Sequence, residues 1–235
     1  MTEKKRKRNE MRPIRMNVGY LKGVPGSVLF EMGNTRVLCV ATVEDTVPPF
    51  LRGSGRGWIT AEYGMLPRSS PKRIPRESVK GKVKGRTQEI QRLIGRSLRA
   101  AVDLEKTGER TFIIDCDVIE ADGGTRTASI NGGFMALAAV LRGLGLEKKA
   151  LKGFVAAISV GMKDGKTIMD LDYVLDSSAD VDMNVVMNDR GEFIEVQGTA
   201  EGNTFSREQL DGMLKSAGSG IKKIIKAQKK GLKWT

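Results

Sequence analysis

The 235-residue chain contains no histidine. That absence excludes a Ser-His-Asp or Cys-His nucleophile, an imidazole acid or base, and any His-ligated metal. Cysteine is nearly absent as well: only Cys39 and Cys116 occur. Both sit in apolar surroundings (RVLCVATV and TFIIDCDVI), which reads as buried strand thiols rather than a disulfide or a metal pair. Sparse cysteine fits a reducing, cytoplasmic setting. Aromatic residues make up 5% of the chain, too few for a platform of stacked rings to dominate nucleic-acid contacts. No apolar run is long or uncharged enough to span a bilayer. The first residues, MTEKKRKRNE, lack the apolar stretch of a signal peptide.

What is present is a core and a great deal of positive charge. With 40% hydrophobic residues the chain can bury a substantial interior, as one domain or two small ones. Lys and Arg number 40 against 28 Asp and Glu, a net charge of +12. Residues 1–15 carry +5 and residues 215–235 carry +7, so the intervening chain is neutral. That neutrality conceals a split. Residues 66–99 hold eleven bases and two acids. Much of the compensating negative charge lies in Asp164, Asp170, Asp172, Asp176, Asp180 and Asp182. Each basic tail alone is compatible with plain solubilising charge. Three basic segments together favour a polyanionic partner, because neutralising phosphates is the usual source of nucleic-acid affinity.

The hydrophobic periodicities predict sheets covered by helices, an α+β or mixed α/β chain. Residues 1–11 read as a flexible basic arm. A hairpin is expected over 26–44 around Gly33-Asn34, and loops over 46–57 and 67–85. An amphipathic helix is expected over 87–104, with Ile90, Leu93, Ile94, Leu98 and Ala101 on its apolar face. Arg92, Arg96 and Arg99 form a second stripe on it, either a solvated face or a polyanion contact. A strand over 111–120 precedes Gly123-Gly124-Thr125-Arg126-Thr127 and a mostly apolar helix from Ile130 to Leu144. Gly132-Gly133 in that helix predicts close packing. Hairpins follow around Asp164-Gly165 and Asp189-Arg190-Gly191, then two helices near 206–217 and 219–231.

Three elements carry chemistry. Gly123-Gly124-Thr125-Arg126 lies between a strand and a helix, where free helix N–H groups, a hydroxyl and a guanidinium suit a phosphate. The pattern is neither a Walker A loop nor a dinucleotide fingerprint, and an ordinary capped turn explains it equally well by itself. Arg86 opens the basic helix and could reach an anion. Finally, Asp176, Asp180 and Asp182 bring three carboxylates within seven residues. Such a cluster suits a Mg²⁺ site, general-acid work or a polar loop. In combination the three suggest phosphoryl or nucleotidyl transfer on nucleic acid.

Longer segments carry a resemblance. GRGWITAEYGMLPR (55–68), GRTQEIQRLIGRSLRA (85–100), DCDVIEADGGTRTASI (115–130), LDSSADVDMNVVM (175–187) and IEVQGTAEG (194–202) closely resemble the bacterial ribonuclease PH family, collinearly from about residue 11 onward. The resemblance implies a single domain over 12–235 with an α+β, ribosomal-protein-S5-domain-2-like fold built of two βαβα-type halves. It implies ring assembly as a homohexamer, a trimer of dimers. The implied activity is phosphorolytic 3′→5′ trimming of tRNA precursors, with rRNA as a further substrate, releasing nucleoside diphosphates. Orthophosphate is then a co-substrate and Mg²⁺ the implied cation. Phosphate ligands carry over onto Arg86, Gly124, Thr125 and Arg126. Catalytic or metal-holding acids carry over onto Asp176 and Asp182. Arg68, Arg73 and Arg76 match family positions for RNA binding or assembly, and the helical stripe Arg92, Arg96 and Arg99 is a candidate for the same role. The alternative within this fold is a catalytically silent, RNA-binding ring subunit, which would be expected to lack the acids or the Gly-Gly-Thr-Arg turn. The arm departs from the family's Arg-x-Asp-Gly-Arg opening, reading Lys5-Arg6-Lys7-Arg8-Asn9-Glu10.

Overall fold

The computed structural model describes residues 6–201 and 204–234. Alternating burial along β3 (Thr35–Glu44) puts Val37, Cys39 and Ala41 on the inward face. The turn at Gly33-Asn34 joins β3 to β2 (Ser27–Met32), as the sequence predicts. With β1 (Ile14–Val18), β4 (Trp58–Met65) and β5 (Thr111–Glu120) they form a sheet ordered β1-β2-β3-β5-β4. Only the β4–β5 pair is parallel, and helix α1 (Gly85–Ala101) makes the crossover that a parallel pair requires. Ile90, Leu93, Ile94, Leu98 and Ala101 of α1 are buried, the apolar face expected.

Helix α2 (Thr125–Gly143) starts five residues earlier than its apolar pattern indicates, directly on the Gly-rich turn. Hydrophobic periodicity does not register its polar first turns: Thr125 and Arg126 line a cavity, while the buried Thr127 and Ser129 donate back to the Gly124 and Thr125 carbonyls. α2 packs against β2, β3, β5 and also β6 (Val155–Lys163), which places it between two sheets. A Cβ at Gly132 would lie 2.7 Å from the Cys39 sulfur, so only glycine permits this approach. A short helix α3 (Glu147–Ala150) leads into the second sheet, ordered β7-β6-β8-β9. It comprises β6, β7 (Lys166–Met169), β8 (Val181–Asn188) and β9 (Phe193–Ala200), with the single turn α4 (Tyr173–Asp176) between β7 and β8.

Two further expectations differ from the structure. The closing pair of helices is one helix, α5 (Arg207–Gly231), begun by a Ser206/Gln209 capping box. Gly218, where the expected helices part, does not break it, and neither does Gly220. A Cβ there would lie 2.4 Å from Ile158 Cδ1, so this glycine admits sheet packing instead. The tail lysines are the outer stripe of a helix whose Ile221, Ile224, Ile225 and Gln228 are buried. The arm also differs where it is described. Arg6 pairs with Asp170 and Asp172, and the Arg8 carbonyl accepts from the Met169 amide, so residues 6–12 are tied to the second sheet. Residues 1–5 of the expected arm lie outside the described residues. Both cysteines are buried free thiols, facing each other across β3 and β5.

Candidate active site

The loop after β4, the start of α1, the β5–α2 turn and the α4–β8 segment line one cavity of about 900 Å³. One wall is the Gly-rich turn. Gly123 and Gly124 have φ of +73° and +64°, the left-handed region that glycine tolerates. A Cβ on Gly123 would meet the backbone of Leu171–Tyr173 at 2.6–2.7 Å, so the turn is wedged against the chain entering α4. Thr35 holds the turn from below. Its hydroxyl donates to the Gly123 carbonyl and accepts from the Asp122 amide.

No side chain caps the N-terminus of α2. Its first N–H groups are therefore open at the positive end of the helix dipole, which is the arrangement an anion occupies. Thr125 Oγ1 and the Tyr63 hydroxyl are 2.9 Å apart. Arg126 is largely covered and donates to Gln197 of β9, with Glu89 of α1 at 3.5 Å. Arg86, in the first turn of α1, lines the same cavity. The start of α1 is fixed by Glu77, whose carboxylate accepts from the Lys84 amide and the Thr87 hydroxyl.

The other wall is acidic. Asp176 ends α4, and Asp182 is the second residue of β8; both line the cavity. Burial, and then Asp182 nearby, push the Asp176 carboxyl above its ordinary range, while Arg126, Arg86 and Arg12 pull it back. Burial raises the Tyr63 hydroxyl likewise, against the pull of Thr125, Arg86 and Arg126. These influences place cationic and anionic groups within electrostatic reach of one another around a single space. Asp180 takes no part: its carboxylate accepts from the Asp164 amide in the β6–β7 hairpin turn.

The basic candidates are divided. From the 66–84 loop, Ser70, Pro71, Lys72 and Ile74 line the cavity, whereas Arg68, Arg73 and Arg76 are exposed outside it. Arg68 donates to the Pro71 carbonyl. Arg92 and Arg96 line a neighbouring groove of about 290 Å³ with Glu89, Glu195 and Gln197, and Arg96 is ion-paired to Glu195. Arg99 is engaged structurally: it donates to the Ile59 carbonyl and stacks over Trp58 at 4.6 Å. Tyr63, Gln197, Ser159 and Asn184 join the site through tertiary structure; of these, Ser159 alone lies outside the segments that carry the resemblance.

Among the described residues no group of three or more Cys, Asp or Glu side chains forms a cation site. The donor set nevertheless fits Mg²⁺, which is commonly held by one or two carboxylates together with water and substrate phosphate. The elevated Asp176 carboxyl beside Asp182 is the electrostatic signature that such a cation would relieve.

Comparisons with known proteins agree with this geometry. The 3′ exoribonuclease family, domain 1, matches residues 10–141, and its domain 2 matches residues 153–220. Ribonuclease PH of Syntrophomonas wolfei is 58% identical over 226 residues, covering 94% of either chain. Ribonuclease PH of Moorella thermoacetica is 57% identical over 227 residues, covering 95% of this chain and 91% of its own. Among solved structures, the Archaeoglobus fulgidus exosome with RNA bound to the active site superposes with a TM-score of 0.79 at 18% identity, over 94% of this chain and 90% of that one. An archaeal exosome core gives a TM-score of 0.75 at 17% identity, over 95% and 89%. The fold is thus the α+β, ribosomal-protein-S5-domain-2-like arrangement that the resemblance implies. Sequence, fold and the convergent cavity together establish that the chain belongs to the ribonuclease PH family of 3′ exoribonucleases.

Proposed function

We propose that this chain is a phosphorolytic 3′→5′ exoribonuclease that trims tRNA precursors. The observation that carries this reading is the uncapped N-terminus of α2, which shares one cavity with Arg126, Arg86, Asp176 and Asp182. Orthophosphate is the nucleophile. It is already anionic at neutral pH, so a chain without histidine needs no imidazole to activate it.

In the proposed reaction, orthophosphate rests on the Gly124, Thr125 and Arg126 backbone and side chains, with Arg86 lining the same cavity. One of its oxygens attacks the last phosphorus of the RNA in line. A new P–O bond forms, the P–O3′ bond breaks, and the terminal nucleoside leaves as its diphosphate. The shortened RNA keeps the 3′-oxygen, which takes up a proton. Charge on the non-bridging oxygens is met by fixed donors that need no reorganisation. Asp176 and Asp182 face the departing oxygen, where they can deliver the proton or hold a Mg²⁺. The cation, when bound, supplies charge neutralisation at the phosphate and leaving oxygens.

The basic loop bearing Arg68, Arg73 and Arg76, and the groove bearing Arg92 and Arg96, supply a path for the phosphate backbone of RNA. We assign Arg99 to packing instead. Membership of the ribonuclease PH family is the ground for the further reading that the chain assembles as a homohexamer, a trimer of dimers, and acts in the cytoplasm. A silent ring subunit is disfavoured because the Gly-Gly-Thr-Arg turn and both carboxylates share the cavity.

The test is release of nucleoside diphosphate from a tRNA carrying a 3′ extension, with and without orthophosphate. Phosphate-dependent release is the expected result. Nucleoside monophosphates released irrespective of phosphate would make the chain a hydrolase.

A further inference from the structure

The cavity walls come from distant parts of the chain, and a buried ion pair lies behind both. Arg12 and Asp170 are 7% and 0% exposed, yet neither lines the cavity. Arg12 meets Asp170 three times: its amide and Nε donate to one carboxylate oxygen at 2.7 and 3.0 Å, and Nη2 donates to the other at 2.6 Å. The remaining donors of the fork go to backbone. Nη1 donates to the carbonyl of Asp122, at the Gly-rich turn, and Nη2 donates to the carbonyl of Leu171 at 3.2 Å, just before α4. Nη2 also lies 3.1 Å from where a Gly124 Cβ would be, so the guanidinium is packed against the back of the phosphate cradle.

Asp170 holds its carboxylate there in a left-handed conformation, φ +59°, which a residue with a side chain adopts at a cost. Arg6 extends the network outward. It donates to the Asp170 carbonyl at 2.7 Å and to the Asp172 carboxylate at 3.2 Å. Asp172 is the N-cap of α4, accepting from the Leu175 amide, and α4 ends in Asp176. The Asp122 carboxylate closes the circuit by accepting from the Tyr173 amide.

We infer that Arg12 and Asp170, with Arg6 outside them, are positioning residues that fix the phosphate-binding turn and the acid-bearing α4 relative to each other. The inference rests on the phosphorolytic reading above. A planar fork is what the geometry requires, because one cation must face a carboxylate and two divergent carbonyls together. Lysine can neutralise Asp170 but cannot span all three.

The experiment measures phosphorolysis of a 3′-extended tRNA by Arg12→Gln, Arg12→Lys and Arg6→Gln, with thermal midpoints for each. Arg12→Lys is expected to recover most of the midpoint lost in Arg12→Gln, while its KM for orthophosphate stays raised roughly tenfold or more. Its KM for RNA is expected to change less than about twofold, since the RNA path is untouched. A folded Arg12→Lys enzyme with the parent KM for orthophosphate and parent kcat overturns the inference. So does an equal rise in both KM values. If neither Arg12 variant folds, Arg6→Gln decides: its core pair is intact, and a several-fold lower kcat at unchanged midpoint is expected, an unchanged kcat overturning the inference. A parent enzyme that ignores orthophosphate overturns the phosphorolytic reading itself and this inference with it.

Discussion

Tyr63 Oη and Thr125 Oγ1 lie 2.9 Å apart, which joins the parallel strand β4 to the first residue of the anion-facing helix α2. The pair orients a hydroxyl that borders the phosphate cradle, and the tyrosine is 6% exposed. Replacing Tyr63 by Phe keeps the ring and removes only the hydroxyl. The expected result is a loss of roughly fivefold to tenfold in kcat/KM for orthophosphate, the scale of one net hydrogen bond of about 1 kcal/mol. A steady-state titration of orthophosphate at saturating RNA checks it.

Arg126 sits at the same helix start, and Gln197 and Glu89 keep its guanidinium from swinging outward. Arg126→Ala removes a charged donor aimed where charge gathers. Loss of such a donor typically lowers the rate by about 10²–10³. Single-turnover phosphorolysis of a 3′-extended tRNA measures the loss, and full activity sinks the assignment.

Asp182→Asn and Asp176→Asn are expected to abolish most activity while leaving the fold intact, because each side chain faces the cavity rather than the core. Chelation of divalent cations is expected to reduce the parent rate and to change the already low rates of these variants little. Rates in chelator and after Mg²⁺ is restored, measured for all three proteins, distinguish a shared cation site from two unrelated carboxylates.

Gly123→Ala is expected to be among the most damaging single-methyl changes in the protein. The new Cβ would sit 2.6 Å from the Asp172 carbonyl carbon at a residue whose φ is +73°. A left-handed conformation alone costs an alanine about 1–2 kcal/mol, and the contact is with backbone, which cannot rotate away. A lowered thermal midpoint together with loss of phosphate-dependent activity is the expected outcome.

Asp115 gives a pH prediction away from the cavity. Burial, and then Asp117 two residues along β5, raise its pKa above the ordinary value of 3.8. The folded state then binds the proton more tightly than the unfolded chain does, so stability falls as pH climbs from 3.8 through the raised value, and is level above it. Asp115→Asn removes that penalty and is expected to raise the midpoint at neutral pH, with the difference vanishing below pH 3.8. Thermal unfolding across pH 3–8 reads the two curves; parallel curves would show that the carboxylate is not responsible.

Much of this molecule is legible in one dimension. The β2–β3 turn, strand β5 and the apolar face of α1 follow from local alternation and helical spacing, because each element buries one face against the core. The close approach of α2 was legible in Gly132-Gly133. Where local pattern misled, a tertiary contact was the reason. The two expected helices part at Gly218, yet α5 runs through it, because Met213 and Ala217 before it and Ile221 and Ile224 after it are buried on one continuous face. The arm looked free on charge alone, but Arg6 within it is bonded to Asp172, more than 150 residues away.

By itself the sequence determined the chemical repertoire. With no histidine, the site had to work through arginine, glycine backbone and carboxylate, and the Gly-Gly-Thr-Arg and Asp-rich segments announced those groups. Only the tertiary structure decided which of them meet. It set Asp176 and Asp182 in the cavity but turned Asp180 into a hairpin contact, and gave Arg99 to Trp58. It also buried Arg12, the first residue of the expected domain, in the space behind the cradle. The physical reason is that charge and residue type are written along the chain, whereas burial and hydrogen-bond partnership belong to pairs of segments and exist only once the two sheets have closed on α2.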